Sequence, residues 1–331
     1  TGAGVGGEDL VSAITAIAGT AVTLATAATT SVTGAAVQKT GFSYMDEAMA
    51  LRFTIEARNA ADVVTQNYTG ALANLDLATP ASFGFAAADG ANYFLTTDRL
   101  SLSSSTGVWA NGAAGVSVTL GLSSLPDAAT PRTGAADGPY NNLYFGVNAS
   151  DADGVGMLSA DYDLNTDATA GSDHVKINSA PAQLRFGRLK FSNAYGSELL
   201  DLPIPIETQY WNVTAFVTNN ADNCTTLSVA NMSLSNYQGA LTVANMDTPP
   251  GSHISLGGAF ISGRGTLKLI KPTGALTGRG SVTLTEDLVA GGRSYLRGAW
   301  TGTSFTQNPS ALATFGVYKG ADEFIYLREN Y

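Results

Sequence analysis

The chain has 331 residues, of which 44% are hydrophobic and 13% charged, with a formal net charge of −10. That length leaves room for two or three domains and a sizeable core. The negative charge repels polyanions, which excludes nucleic acid as a partner and disfavours an anionic membrane surface, and no apolar run reaches the roughly 18 residues that cross a bilayer.

The charged share is about half the usual one. Thr, Ser, Asn, Gly and Ala fill the gap, a composition suited to strands and loops outside the cell. Thr1 is not an initiator, so the expectation is a processed chain or a piece of a longer one. The single cysteine, Cys224, has no partner for an intrachain disulfide. It reads either as an inert thiol beside a loop or as one half of a pair with another chain.

Residues 1–40 are simple in composition and short of large side chains. Leu10, Ile14 and Ile17 fall at helical spacing, whereas Val22 and Leu24 alternate, so helix and strand both remain open. Such a segment could dock on its own chain or be donated as a strand to a neighbour. Residues 41–150 read as a first β-sandwich domain. In Leu51–Ala57, Leu51, Phe53 and Ile55 face one way and Arg52, Thr54 and Glu56 the other. Asn59–Asp62 makes a turn before Val63–Tyr68. Further strands are expected at Asn92–Leu95, Thr106–Trp109, Val116–Leu120 and Leu143–Val147. Residues 151–180 form an acidic bridge, and 181–331 a second β domain.

The densest pattern runs from Gln183 to Glu207. Leu184 and Phe186 alternate, and so do Leu189 and Phe191, but on the opposite parity. A bulge at Gly187–Arg188 would let all four face one core and turn Arg185, Arg188 and Lys190 outward. Those three cations then read as a solvated strand face or as a binding patch. Ser192–Ser197 reads as a turn. Leu200, Leu202, Ile204 and Ile206 alternate with Pro203 and Pro205, which lack an N–H on one side, so this should be an edge strand or a connector. Gln209–Trp211 and Phe216–Val217 flank a turn in which Val213 is a poor residue for a positive φ. Strands follow at Ser252–Ile261, Thr266–Ile270, Gly280–Leu284 and Tyr295–Trp300. A last hairpin about Lys319–Asp322 leads into Phe324–Leu327, apolar on both faces and so expected inside. The fold class expected is all-β, as tandem β-sandwich-like domains with antiparallel sheets.

Candidate chemistry is sparse. Asp161, Asp163, Asn165 and Asp167 alternate as D-x-D-x-N-x-D, with Asp173 beyond them. Alternating oxygen ligands suit calcium. An EF-hand would want Gly at Thr166 and Glu at Ser172, and the plainer reading is an acidic solvated loop. His174 and His253 lack a helical partner at spacing four, and no G-x-S-x-G elbow is present. Gly263-Arg264-Gly265 and Gly278-Arg279-Gly280 depart from the phosphate-binding G-x-x-x-x-G-K-[ST], so they read as turns. Tyr195, Tyr210 and Trp211 would suit a carbohydrate platform if exposed, or a core if not.

The stretches LRFGRLKFSNAYGSELLDLPIPIETQYW, ATFGVYKGADEFIYLRENY and GFSYMDEAMALRFTIEARNAADVVTQNYTG resemble the C-terminal region of the MshQ family, over roughly residues 41–331. That family is associated with the mannose-sensitive haemagglutinin (MSHA) type IV pilus of Gram-negative bacteria. The resemblance implies a large exported, extracellular or cell-surface protein without known catalysis, and it transfers no site residue. The function expected is a pilus-associated structural or adhesive component, not an enzyme. Its partners would be pilus components, copies of itself or surface glycans. The alternatives are a filament subunit joined by donation of residues 1–40, and a carbohydrate-binding or carbohydrate-active protein.

Overall fold

Strand β4 (Met49–Glu56) realises the alternation read from the sequence: Leu51, Phe53 and Ile55 are half-buried and Arg52, Thr54 and Glu56 are exposed. It belongs to a computed structural model that describes residues 14–18, 21–24, 41–90, 92–95, 99–123, 132–157, 164, 174–178, 180–273 and 279–316. Within the first forty residues, β1 (Ile14–Ala18) and β2 (Ala21–Leu24) pair antiparallel with each other. The choice between helix and strand therefore falls to strand there. The C-terminal hairpin expected about Lys319–Asp322 lies outside the described residues.

The chain is all-β. In the first unit, β4 pairs with β8 (Ala113–Leu122), which pairs with β7 (Leu100–Ala110). Facing them is a sheet in the order β3 (Ser43–Tyr44), β11 (Ala182–Arg185), β9 (Tyr140–Ala149), β5 (Phe83–Asp89) and β6 (Asn92–Leu95), with β10 (Val175–Lys176) on β9. Phe53 on one sheet meets Phe83 and Phe85 on the other edge to face. Phe145, Val147, Val116, Val118 and Leu120 complete the core between the sheets. The strand expected at Val63–Tyr68 is reduced to a bridge between Val64 and Arg58.

In the second unit, β12 (Gly187–Phe191), β14 (Leu202–Trp211), β18 (Arg264–Leu269) and β17 (Ile254–Leu256) form one sheet, with β15 (Phe216–Thr218) on β14. The other is β13 (Ala194–Gly196), β20 (Ser310–Phe315), β19 (Gly280–Glu286) and β16 (Met232–Gly239). Among the described residues, all strand pairings are antiparallel except β3 with β11 and β13 with β20. Leu189, Ile204, Ile206, Leu267, Val282 and Leu284 fill the space between the two sheets.

Several expectations are corrected. The parity change at Gly187 is not a bulge. The chain leaves the first sandwich at Arg185, passes through Phe186 and enters the second at Gly187, so Leu184 and Phe186 face the first core and Leu189 and Phe191 the second. Ser192–Ser197 is not only a turn, since Ala194–Gly196 pairs with the end of β20. β14 as a whole is an inner strand and not an edge strand, but over Pro203–Pro205 it is paired on one side alone, as the two prolines require. Both are paired through β18, and their missing donors point to the side where β12 has already ended at Phe191. Tyr295–Trp300 begins with a 3₁₀ turn at Ser294–Leu296 rather than a strand. The Asn212–Ala215 hairpin holds, with Val213 at φ +83°. The Asn212 side chain accepts from the backbone N–H groups of Thr214 and Ala215, which anchors that unfavourable turn.

Gly187 is forced by space. A Cβ there would lie 2.3 Å from Cδ1 of Tyr44 and 3.0 Å from Cδ2 of Leu296. Gly187→Ala should therefore destabilise the protein by about 2 kcal/mol or more, read as a lowered urea midpoint. A wild-type midpoint would show that the crossing is looser than described.

Candidate functional site

Asp161, Asp163, Asn165, Asp167 and Asp173 all lie outside the described residues. Among the described residues, no group of three or more His, Cys, Asp and Glu side chains is placed to hold a metal. His174 and His253 are both buried and far apart in the fold, one beside Gly146 and the other preceding β17. Two shallow clefts stand out. One of about 290 Å³ is lined by Asn74, Asp76, Thr79 and Asp151, and one of about 390 Å³ by Asp89, Asp137, Tyr140 and Asn142. Asp137 is already engaged by Arg99. Among the described residues, no helix is long and apolar enough to cross a membrane.

The most elaborate polar chemistry lies where the two units meet. Arg132 is 2% exposed. Its guanidinium donates to the carbonyl oxygens of Gly187 (2.6 Å), Arg297 (2.7 Å) and Phe305 (3.2 Å), all in the second unit. It pairs with Asp46 of the first unit at 3.4 Å and lies 4.2 Å from the centre of the Phe186 ring. Burial pulls its pKa down to about 10, against the support of Asp46, so the cation persists at neutral pH. The centre of the Phe305 ring lies 6.0 Å from it, and Phe186, Phe216 and Phe305 pack together.

Tyr44 makes a second tie. Its hydroxyl donates to Asp222 (2.7 Å) and accepts from Asn219 (2.8 Å), and its ring stacks on Tyr295. Burial, then the Asp222 charge, holds the Tyr44 pKa well above that of a free tyrosine. Burial alone would raise the Asp222 carboxyl. The hydroxyls of Thr225 and Tyr44 and the backbone N–H groups of Thr225 and Cys224 outweigh that and hold it low. Arg185 stacks between Phe42 and Tyr210 and donates to Asn219. It therefore belongs to the joint, not to a solvated face. The Cys224 thiol is half-buried beside Asp222.

A third polar arrangement lies on the outer face of the β12–β14–β18 sheet. Thr218 donates to Glu207 (2.7 Å), Gln209 donates to the other oxygen of Glu207 (2.7 Å), and Arg188 donates through Nε to Gln209 (2.8 Å). Lys190 lies 3.7 Å from Glu207. The Arg188 guanidinium is 3.8 Å from the centre of Phe216 and 5.0 Å from that of Trp300. Of the aromatics singled out from the sequence, Tyr195 is exposed, while Tyr210 and Trp211 are half-buried. Trp300 and Phe216 were missed there because neither stands in an aromatic run of its own strand; the fold gathers them around Arg188. Glu286, at the end of β19, is fully buried, and neither of its carboxylate oxygens is hydrogen-bonded to a described residue. Burial, opposed by Arg293 and reinforced by Asp287, pushes its pKa up to about 7.

Comparison with known proteins follows the same division. Residues 21–179 match the model of the third domain of DUF6701, and residues 185–330 that of its fourth domain. No curated protein matches. Among solved structures, the Yersinia pseudotuberculosis adhesin InvE is similar at 14% identity and a TM-score of 0.24, over 81% of this chain and 54% of that one. The chain thus spans about half the length of that structure.

Two outcomes test the polar centres. Arg132→Met removes the buried charge opposite Asp46 and the donors to three carbonyl groups, so it should cost about 3–5 kcal/mol, seen in chemical denaturation. For Glu286, the folded pKa is about 7 against 4.5 for a free glutamate. Its contribution is complete below pH 4.5 and disappears as pH rises to 7, a loss on the order of 3 kcal/mol. Glu286→Gln should flatten that part of the stability–pH curve and exceed wild type at pH 8. Parallel curves would contradict the burial of the carboxylate.

Proposed function

Since this chain is built of the third and fourth domains of DUF6701, joined in sequence, we propose that it is a structural or adhesive component of the bacterial cell surface, associated with an MSHA-type pilus. It acts by presenting a rigid β surface and not by catalysis. The observation that carries this reading is the joint. Arg132 and Tyr44 each reach from one sandwich into polar partners of the other, and Phe186 is shared between them. Buried polar contacts of this kind set one relative orientation, because any other leaves a charge or a carbonyl unsatisfied. A protein that transmits load or holds a surface away from the cell needs that fixity. The pilus itself enters through the MshQ-like stretches around Leu184–Trp211 and Gly41–Gly70.

A second reading, self-assembly into filaments, draws on strand β7. It is 11 residues long and lies at the edge of its three-stranded sheet, and a long edge is a template for another strand.

Antibodies raised against the purified chain test the first reading. They should label intact, unpermeabilised cells, with the signal falling when pilus assembly is disrupted. Labelling that appears only after lysis would refute it. Sedimentation at rising concentration addresses the second, where a persistent monomer would remove it.

A further inference from the structure

The charge of this chain is unevenly placed. Residues 1–180 hold 17 of the 27 acidic side chains and 6 of the 17 basic ones, while residues 181–331 hold 10 and 11. On the outer face of the β12–β14–β18 sheet, Arg188, Lys190, Arg264 and Lys268 are balanced by Glu207 and by Asp201 at the strand's start. An acidic protein thus carries one locally cationic sheet face. Within it, Arg188 is the cation set most firmly in place.

The chain of hydrogen bonds from Thr218 through Glu207 to Gln209 fixes the Gln209 amide, because its nitrogen must donate to Glu207. The amide oxygen is then turned to Arg188 Nε. That holds the guanidinium by its inner edge. Its two terminal nitrogens make no hydrogen bond to a described residue, and they form the flat two-toothed end that fits a carboxylate. Half-buried Phe216 and Trp300 frame the same group, and Trp211 packs against Phe216. Burial lowers the Arg188 pKa against the pull of Glu207, so the cation is partly stripped of water, which strengthens its attraction for an anion.

An arginine with uncommitted donors asks for a carboxylate, and the half-buried Trp300 ring beside it, 5.0 Å from the guanidinium, asks for an apolar ring face. A sugar acid has both: a carboxylate at one end and a pyranose whose axial C–H groups form an apolar side. We propose that Arg188, framed by Phe216 and Trp300, is a binding site for a carboxylated sugar, such as a uronic acid residue of a surface glycan. The site deepens the adhesive half of the function proposed above and rests on it only for where such a glycan is met.

The test uses the full chain and three probes: D-glucuronate, D-glucose, which keeps the ring without the carboxylate, and acetate, which keeps the carboxylate without the ring. Glucuronate should bind with a dissociation constant on the order of 1 mM and change tryptophan fluorescence. Glucose and acetate should each bind at least about tenfold more weakly. Arg188→Lys keeps the charge but loses the planar fork, and it should weaken glucuronate at least about tenfold with an unchanged urea midpoint. If that variant does not fold, saturation-transfer NMR on the unaltered protein decides: the glucuronate ring protons should receive saturation, those of glucose should not. No glucuronate binding at tens of millimolar, acetate binding as tightly as glucuronate, or an Arg188→Lys protein with wild-type affinity would each overturn the proposal. Failure here would leave surface labelling of cells unaffected, so the two readings fall separately.

Discussion

A guanidinium has five N–H donors and no accessible way to lose its charge, so burying one is tolerable only where acceptors surround it. Arg132 meets that demand with acceptors from two different sandwiches. Asp46 comes from the first, and the carbonyl oxygens of Gly187, Arg297 and Phe305 from the second. Neither unit alone provides a complete set. The packing of Phe186 against Phe305 and the placement of the crossing at Gly187 follow from this, since both line the cavity that the guanidinium fills.

The Tyr44–Asp222 pair has the same logic with opposite chemistry. A phenol is buried neutral and a carboxylate is buried charged, the second stabilised by several donors at once. Between them, the two centres fix orientation about Gly187, whose carbonyl meets Arg132 and whose Cα lies against the Tyr44 ring. Hydrophobic contact by itself allows sliding, whereas directional bonds to buried groups do not. This is why the polar part of the joint, and not its apolar area, decides how the two sandwiches are oriented.

Much of the fold was legible because alternation reports one-sided burial directly. Leu51, Phe53 and Ile55 showed it, as did Leu202, Ile204 and Ile206. The crossing was visible only as an anomaly. The parity change between Phe186 and Leu189 was real, but one sequence cannot tell an inserted residue within a sheet from a step between two sheets, since both shift the phase by one. Pro203 and Pro205 reported an unpaired side correctly, but only for their own stretch: β12 ends before it reaches them and pairs with the rest of β14. The proposed binding surface was harder still. Arg188 was seen as a charge on an outer face, but Phe216, Gln209 and Trp300 reach it from other strands and loops. Nothing local in their sequence marks them as neighbours.

Phe42 and Tyr44 flank and occupy a strand of the first sandwich, yet their rings complete the core of the second. Modularity at the level of sequence families is therefore not modularity of folding. Excised at residue 185, the later half would lose two aromatic rings from its interior and open a socket beside Asp222 and Tyr295. A recombination event that moved either half into another gene would have to carry, or replace, those rings from across the break.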